Sequence, residues 1–316
     1  MTDVYCGVHR ATGAPVVVKQ LRSIPETLLG YHLKDLRSEI ASLLALTGHP
    51  NVVQLRDHFV TPVGGQIVLE FVPGGDLYQY LRHHGALDIT VARDIINQLL
   101  DALNACHARA IVHRDVKPEN ILLAATTSGK ISVKLGDFGL ATSIRHGLTR
   151  RCGSAGYMAP EMKQGNTYNS GVDIWSLGVV AYNLLTGRMP SFDALEVLQI
   201  GPEVALPEDA ITCVQQMLAP LPASRPSAAE LKCHPWLMKN DVDVTEILVE
   251  HLVARKDNAQ DPTLTRHLVS MANTLRLDGN IRDDLLRAMT ASLIDEDTVL
   301  PLLSGEGETY HHLFQR

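Results

Sequence analysis

Asp115, Lys117, Asn120 and Asp137 are the residues whose types and spacing could do chemistry. The first three lie in His113-Arg114-Asp115-Val116-Lys117-Pro118-Glu119-Asn120, and the fourth opens Asp137-Phe138-Gly139. A carboxylate can take a proton from a hydroxyl, and a lysine can neutralise an anion beside it. An amide and a second carboxylate are oxygen donors of the kind that hard divalent cations select. Together they suit transfer of a charged group, where positioning and charge neutralisation matter more than covalent help. Taken alone, the first run could be a polar turn with a Lys-Pro break. Its order ahead of Asp137 argues for the functional reading.

Such groups need rigid elements to hold them. Val16-Val17-Val18-Lys19 is β-branched and follows the turn Thr12-Gly13-Ala14-Pro15, so a strand carries Lys19. Between Tyr31 and Leu46, residues Leu33, Leu36, Ile40, Leu43 and Leu44 recur at helical spacing, which puts Glu39 at the edge of an apolar face. Val52 to Val60 and Gln66 to Val72 read as strands joined by a turn at Pro62 to Gly65. Thr90 to Ala108 is a helix with Ile95, Ile96, Leu99, Leu100 and Leu103 on one face, and it leads into the reactive run. Ile121 to Leu123 and Ile131 to Leu135 are short strands around the polar turn Thr126 to Gly129. Residues 172–186, 208–218 and 227–231 are helical. There is no internal repeat and no low-complexity tract.

In this order the runs resemble the catalytic loop and the metal-binding tripeptide of eukaryotic-type serine/threonine protein kinases, nearest in character to the calcium/calmodulin-dependent group. The resemblance covers residues 1–236 and implies an α+β, bilobal fold: a small β-rich lobe with one long helix, then a large helical lobe. It implies ATP and Mg2+ as cofactors and protein substrates. Asp115 would be the base and Lys117 would contact the transferring phosphate, a lysine that marks serine/threonine rather than tyrosine specificity. Asn120 and Asp137 would hold metal. Lys19 would grip the ATP phosphates, paired with Glu39. Leu69 would be the gatekeeper, the backbone of Glu70 and Val72 would bind adenine, and Asp76 would reach the ribose or a basic substrate residue. Glu119 matches an acid that favours a basic residue ahead of the target hydroxyl. Ser154 would contact Asp115 and Lys117 where the substrate is received. Thr149, beside Arg150 and Arg151, is the candidate activation-loop phosphosite, with Thr142 and Ser143 as alternatives and Arg114 as the counter-charge. Glu161, Arg225 and Asp173 would be structural.

Two departures stand out. No G-x-G-x-x-G precedes Lys19. Val4-Tyr5 fits the strand that follows that loop, and Thr2 stands where its last glycine is expected. The first strand and the phosphate-covering loop are therefore missing from these residues. That leaves a truncated sequence, or a pseudokinase or scaffold module with weak catalysis, as the alternatives. Val17 stands where the family usually has alanine over the adenine ring, and added methyls in a packed site cost about 1–3 kcal/mol.

Composition sets the outer limits. The 316 residues are 45% hydrophobic and 20% charged, enough for a sizeable core and unlike a disordered chain. The net charge of −7 argues against a nucleic-acid partner. Residues 237–316 hold 14 acids and 8 bases, leaving 21 acids and 20 bases before them. A boundary near Trp236 follows, with 237–316 an acidic, mostly helical C-terminal extension that contacts the chain itself or a partner. Five scattered cysteines without a C-x-x-C pair suggest neither disulfides nor zinc. With no readable signal peptide and no apolar stretch long enough to span a membrane, a cytoplasmic location is expected.

Overall fold

The computed structural model describes residues 2–21, 26–61, 64–124, 130–144, 148–201 and 206–238. The turn read at Thr126 to Gly129 and, from residue 239 onward, the extension read over 237–316 lie outside the described residues.

The small lobe opens with β1 (Thr2–Val8) and β2 (Pro15–Leu21), joined by a turn in which Gly13 N–H reaches the His9 carbonyl at 2.8 Å. Helix α1 (Glu26–Ala45) follows, then β3 (Leu55–Thr61) and β4 (Gly64–Glu70). The four strands form one antiparallel sheet in the order β1-β2-β4-β3, with Lys19 opposite Val4 on one side and Ile67 on the other. The apolar stripe of α1 packs with this sheet through Leu36, Ile40 and Leu43, and Leu33 on the same stripe is also buried. The periodicity placed Leu44 on that stripe, but Leu44 is 52% exposed and Leu46 is buried instead. The helix has ended by Ala45, so the chain turn, not the 3.6-residue period, aims Leu46 inward.

The strand expected from Val52 begins only at Leu55. The reason is a competing partner. Val53 N–H donates to Leu135 O at 3.0 Å and Leu135 N–H to Asn51 O at 2.9 Å, so residues 51–53 pair with the large lobe instead of β4. This short parallel bridge, with Val52 fully buried, ties the lobes behind the site.

The large lobe runs through α2 (Leu77–His84), α3 (Ile89–Ala108), β5 (Ile111–Val112), β6 (Ile121–Ala124), β7 (Ser132–Leu135), β8 (Thr142–Ser143), α4 (Pro160–Lys163) and α5 (Gly171–Thr186). A second short hairpin, β9 (Ser191–Phe192) with β10 (Leu198–Gln199), precedes α6 (Glu208–Met217), α7 (Ala228–Leu231) and α8 (Pro235–Met238). Helix α3 buries Ile95, Ile96, Leu99, Leu100 and Leu103 completely, the face its spacing requires. Helix α5 is apolar on nearly all sides and is the lobe's central rod. It packs so closely on α6 that a Cβ on Gly178 would lie 2.8 Å from Met217 Cβ. Asn97 on α3 donates to Leu237 O at 3.0 Å and fixes α8, whose Trp236 is fully buried. The arrangement is the α+β, two-lobed one that the resemblance implied. Among the described residues no helix is long and apolar enough to cross a membrane.

Candidate active site

Lys19 projects from β2 between two carboxylates. Its Nζ lies 2.6 Å from Glu39 Oε1 on α1 and 2.8 Å from Asp137 Oδ1. Burial opposes the lysine's charge, but Glu39 and Asp137 more than offset it and hold the ammonium above the ordinary lysine range. The same burial pushes the Glu39 carboxyl up, and Lys19 offsets this only in part. Partial burial opposes the Asp137 charge too, yet Lys19 and the Gly139 N–H hold it below the usual carboxylate range. Asp137 is therefore ionised at neutral pH and half-exposed, at 50%. Its backbone is left-handed, with φ of 50°, which aspartate tolerates and β-branched residues do not. Phe138 next to it is buried, with its ring 4.7 Å edge-on from His113.

Residues 113–120 and Ser154 form a knot of short contacts. Asp115 Oδ1 accepts from Ser154 N–H at 2.9 Å and Ser154 Oγ at 2.8 Å. Asp115 Oδ2 lies 3.0 Å from both Lys117 Nζ and Asn120 Nδ2. Lys117 Nζ also donates to Ser154 Oγ at 2.7 Å. Local chain geometry makes this possible: Pro118 starts a short 3-10 turn ending at Asn120, so Asn120 doubles back to donate to Asp115 O at 2.8 Å. Gly153 supplies the close approach. Its φ is +99°, and a Cβ there would sit 2.5 Å from Arg114 O, so only glycine lets Ser154 reach Asp115.

Asp173 on α5 braces the run from below. Completely buried, it accepts from His113 N–H at 2.9 Å, Arg114 N–H at 2.8 Å and His107 Nε2 at 2.9 Å. These bonds hold Arg114 at φ 69°, a conformation that needs such support. Burial opposes the Asp173 charge, but its donors, His107 foremost, hold the carboxyl below its ordinary range. A depressed folded-state value means stability that is complete above the unfolded value, near 4, and is lost as pH falls through the folded one. Asp173→Ala is expected to lower stability at pH 7 by about 3–5 kcal/mol, since buried donors lose their acceptor. The difference from wild type should shrink below about pH 4, as thermal melts across pH would show. Glu161 and Arg225 form a second buried brace, bidentate at 2.6 and 2.8 Å, with Arg225 stacked 5.0 Å from the Trp175 ring.

The residues read as the hinge occupy the end of β4 and the chain beyond it. Leu69 is buried and faces Val17 across the β2–β4 register. Glu70 directs its carboxylate away from the strand pair, to Gln54 N–H at 3.0 Å and Lys134 at 2.8 Å. Val72 is buried, and Asp76 caps α2 through Gln79 N–H at 2.8 Å. Glu119 and Thr149 are exposed. Three contacts had no sequence signal. Ser38 Oγ donates to Ala141 O at 2.9 Å, Arg150 pairs with Asp35 at 3.1 Å, and Tyr168 joins Arg114 to the Arg150 carbonyl. The partners lie 54 to 115 residues apart for all but the last link, so no local spacing could have found them.

The donor set fits magnesium. Asn120 spends its amide nitrogen on Asp115, which leaves the amide oxygen to offer, and Asp137 offers a carboxylate. Among the described residues no three His, Cys, Asp or Glu side chains cluster to hold a metal. Mg2+ does not require such a cluster, because it takes one or two carboxylates and completes its shell with phosphate oxygens and water.

The protein kinase domain model matches residues 1–237. Mouse sperm motility kinase 2A is 33% identical over 270 residues, 82% of this chain and 51% of that protein. Mouse calcium/calmodulin-dependent protein kinase type IV is 35% identical over 74% of this chain and 51% of its own length. The CBL-interacting serine/threonine-protein kinase 16 of Arabidopsis thaliana is 33% identical over 75% of this chain and 54% of its own. The chain thus spans about half the length of these relatives.

Proposed function

The chain belongs to the protein kinase family, and we propose that it is a serine/threonine kinase that transfers the γ-phosphate of ATP to hydroxyls of protein substrates. The observation that carries the reading is Lys19 Nζ held between Glu39 and Asp137 at 2.6 and 2.8 Å, across from Asp115 with its lysine, amide and serine partners. Protein kinases generally use ATP and Mg2+. Here Asn120 and Asp137 would hold the metal, which neutralises phosphate charge when bound. Asp115 orients the incoming hydroxyl and accepts its proton, Lys117 balances charge on the transferring phosphate, and Lys19 fixes the phosphates behind it. Leu69 and the backbone of Glu70 and Val72 would line the adenine site, with Asp76 toward the ribose.

A preference for basic residues ahead of the target hydroxyl is part of the proposal. Burial, with the Glu119 carboxylate nearby, pushes the Tyr157 phenol up to about 12. Glu119 is exposed, and its carboxylate is suited to an arginine of the substrate. Thr149 remains the proposed phosphosite, 237–316 an acidic extension for contact within the chain or with a partner, and the cytoplasm the proposed location.

The test uses a serine peptide with arginine before the target residue and its alanine analogue, each with Mg-ATP. The arginine peptide is expected to have about tenfold higher kcat/KM, and Glu119→Gln to erase most of that difference, the scale of one exposed-to-partly-desolvated charge pair. Equal rates for the two peptides would remove the basic preference. No transfer to either would count against the kinase reading.

A further inference from the structure

Arg114 sits beside the proposed base, and its donors already have acceptors. Its Nε donates to Leu140 O at 2.7 Å, Nη2 reaches the same oxygen, and Nη1 donates to the Tyr168 hydroxyl at 3.2 Å. The Tyr168 hydroxyl donates onward to Arg150 O at 2.6 Å. Its backbone exchanges two bonds with Leu148, at 2.9 and 3.4 Å, and its side chain is buried. A single hydroxyl therefore links the catalytic run to residues 148–150, which lead directly to Gly153 and Ser154. A second tie reaches α1, the helix that carries Glu39: Arg150 pairs with Asp35, four residues before it, and Ser38 donates to Ala141 O. Among the described residues, the acceptors of the Arg114 guanidinium are the Leu140 carbonyl and the Tyr168 hydroxyl, both neutral oxygens.

We propose that Tyr168 is a positioning residue that holds Arg114 and the 148–154 segment in the working arrangement without phosphate on that segment. The proposal rests on the kinase reading for its kinetic consequence but not for its structural one. Arg114 gives its donors to a neutral phenol and a carbonyl, so the tie to the segment that leads to Ser154 is made by hydrogen bonds and does not use a modified Thr149. Phosphorylation of Thr149 would then adjust an activity already present. The exposed Asp35–Arg150 pair makes a smaller contribution, because an ion pair in water is weak.

The experiment uses the full 316-residue chain, treated with phosphatase and checked by mass spectrometry for the absence of phosphate at Thr142, Ser143 and Thr149. Steady-state kinetics with Mg-ATP and a serine peptide are read beside hydrogen exchange of the 148–154 amides. The phosphate-free wild type is expected to turn over, and Thr149→Ala to stay within about twofold of it. Tyr168→Phe is expected to lower kcat about tenfold, or about 1.4 kcal/mol, with KM for Mg-ATP unchanged and exchange of the Leu148 and Ser154 amides faster. Asp35→Asn should lower kcat no more than about threefold. A phosphate-free wild type that gains activity only on phosphorylation would overturn the proposal. So would Tyr168→Phe with wild-type kcat and exchange, or rapid exchange at these amides in the wild type, a measurement that stands even if the variant does not fold. Faster exchange in Tyr168→Phe with no turnover by any form would leave the positioning role standing and reject the kinase reading.

Discussion

Asp115→Asn is expected to lower kcat by about 10³-fold or more while leaving the melting temperature within a few degrees of wild type. A positioned general base contributes about 10²–10⁴-fold. Asp115 also anchors Lys117 and Asn120 through Oδ2 at 3.0 Å, and the substitution removes the charge that orients both. Asparagine keeps an oxygen for the Ser154 N–H, now at 2.9 Å from Oδ1, so the backbone of the segment should stay in place. The loss therefore belongs to chemistry and not to folding. Initial rates at saturating Mg-ATP, paired with thermal melts, read the two separately. A rate within tenfold of wild type would take the role of base away from Asp115.

Asp137→Asn should cost about 10²–10³-fold in kcat/KM, the usual scale for removing one charged group aimed at a reacting centre. Three consequences combine. The oxygen-donor site loses its carboxylate, Lys19 loses one of two partners, and Glu39 loses a neighbouring like charge. The variant should also need a higher magnesium concentration for half-maximal rate. Asparagine is the informative choice because it tolerates the left-handed backbone at this position, φ 50°, whereas alanine would add a backbone cost unrelated to the metal. A magnesium titration of the rate measures both effects, and an unshifted midpoint would place the metal elsewhere.

Residues that could be read from the sequence share one property: their roles are written in short local runs. Asp115, Lys117 and Asn120 lie within six residues, and the structure brings Lys117 and Asn120 each to 3.0 Å from Asp115 Oδ2. Lys19 and Glu39 could be paired through the kinase resemblance and their order ahead of the later motifs, while the apolar stripe of the helix only places Glu39 at its edge. Asp173 could be read because a lone acid in an apolar helix needs buried partners. The brace it forms includes His107, 66 residues away, which no spacing indicates. Helix boundaries moved where periodicity ran out, as at Leu44 and Leu46. The strand expected at Val52 gave way to a bridge with Leu135, because β-propensity does not say which neighbour a strand will choose. The hairpin at Ser191–Phe192 and Leu198–Gln199 was not read, since two-residue strands carry no period to detect. The tie from Arg114 through Tyr168 to Arg150 joins a catalytic loop, a segment after α4 and the activation segment, and it exists only once all three are folded.

The most direct test of the account is transfer of labelled γ-phosphate from ATP to a serine or threonine peptide by the purified 316-residue chain, with magnesium and with chelator, beside Asp115→Asn. The account predicts magnesium-dependent label on the serine or threonine hydroxyl for wild type and about 10³-fold less for the variant. Absence of transfer by wild type, with Mg-ATP still raising its melting temperature, would contradict it and leave a nucleotide-binding module in its place.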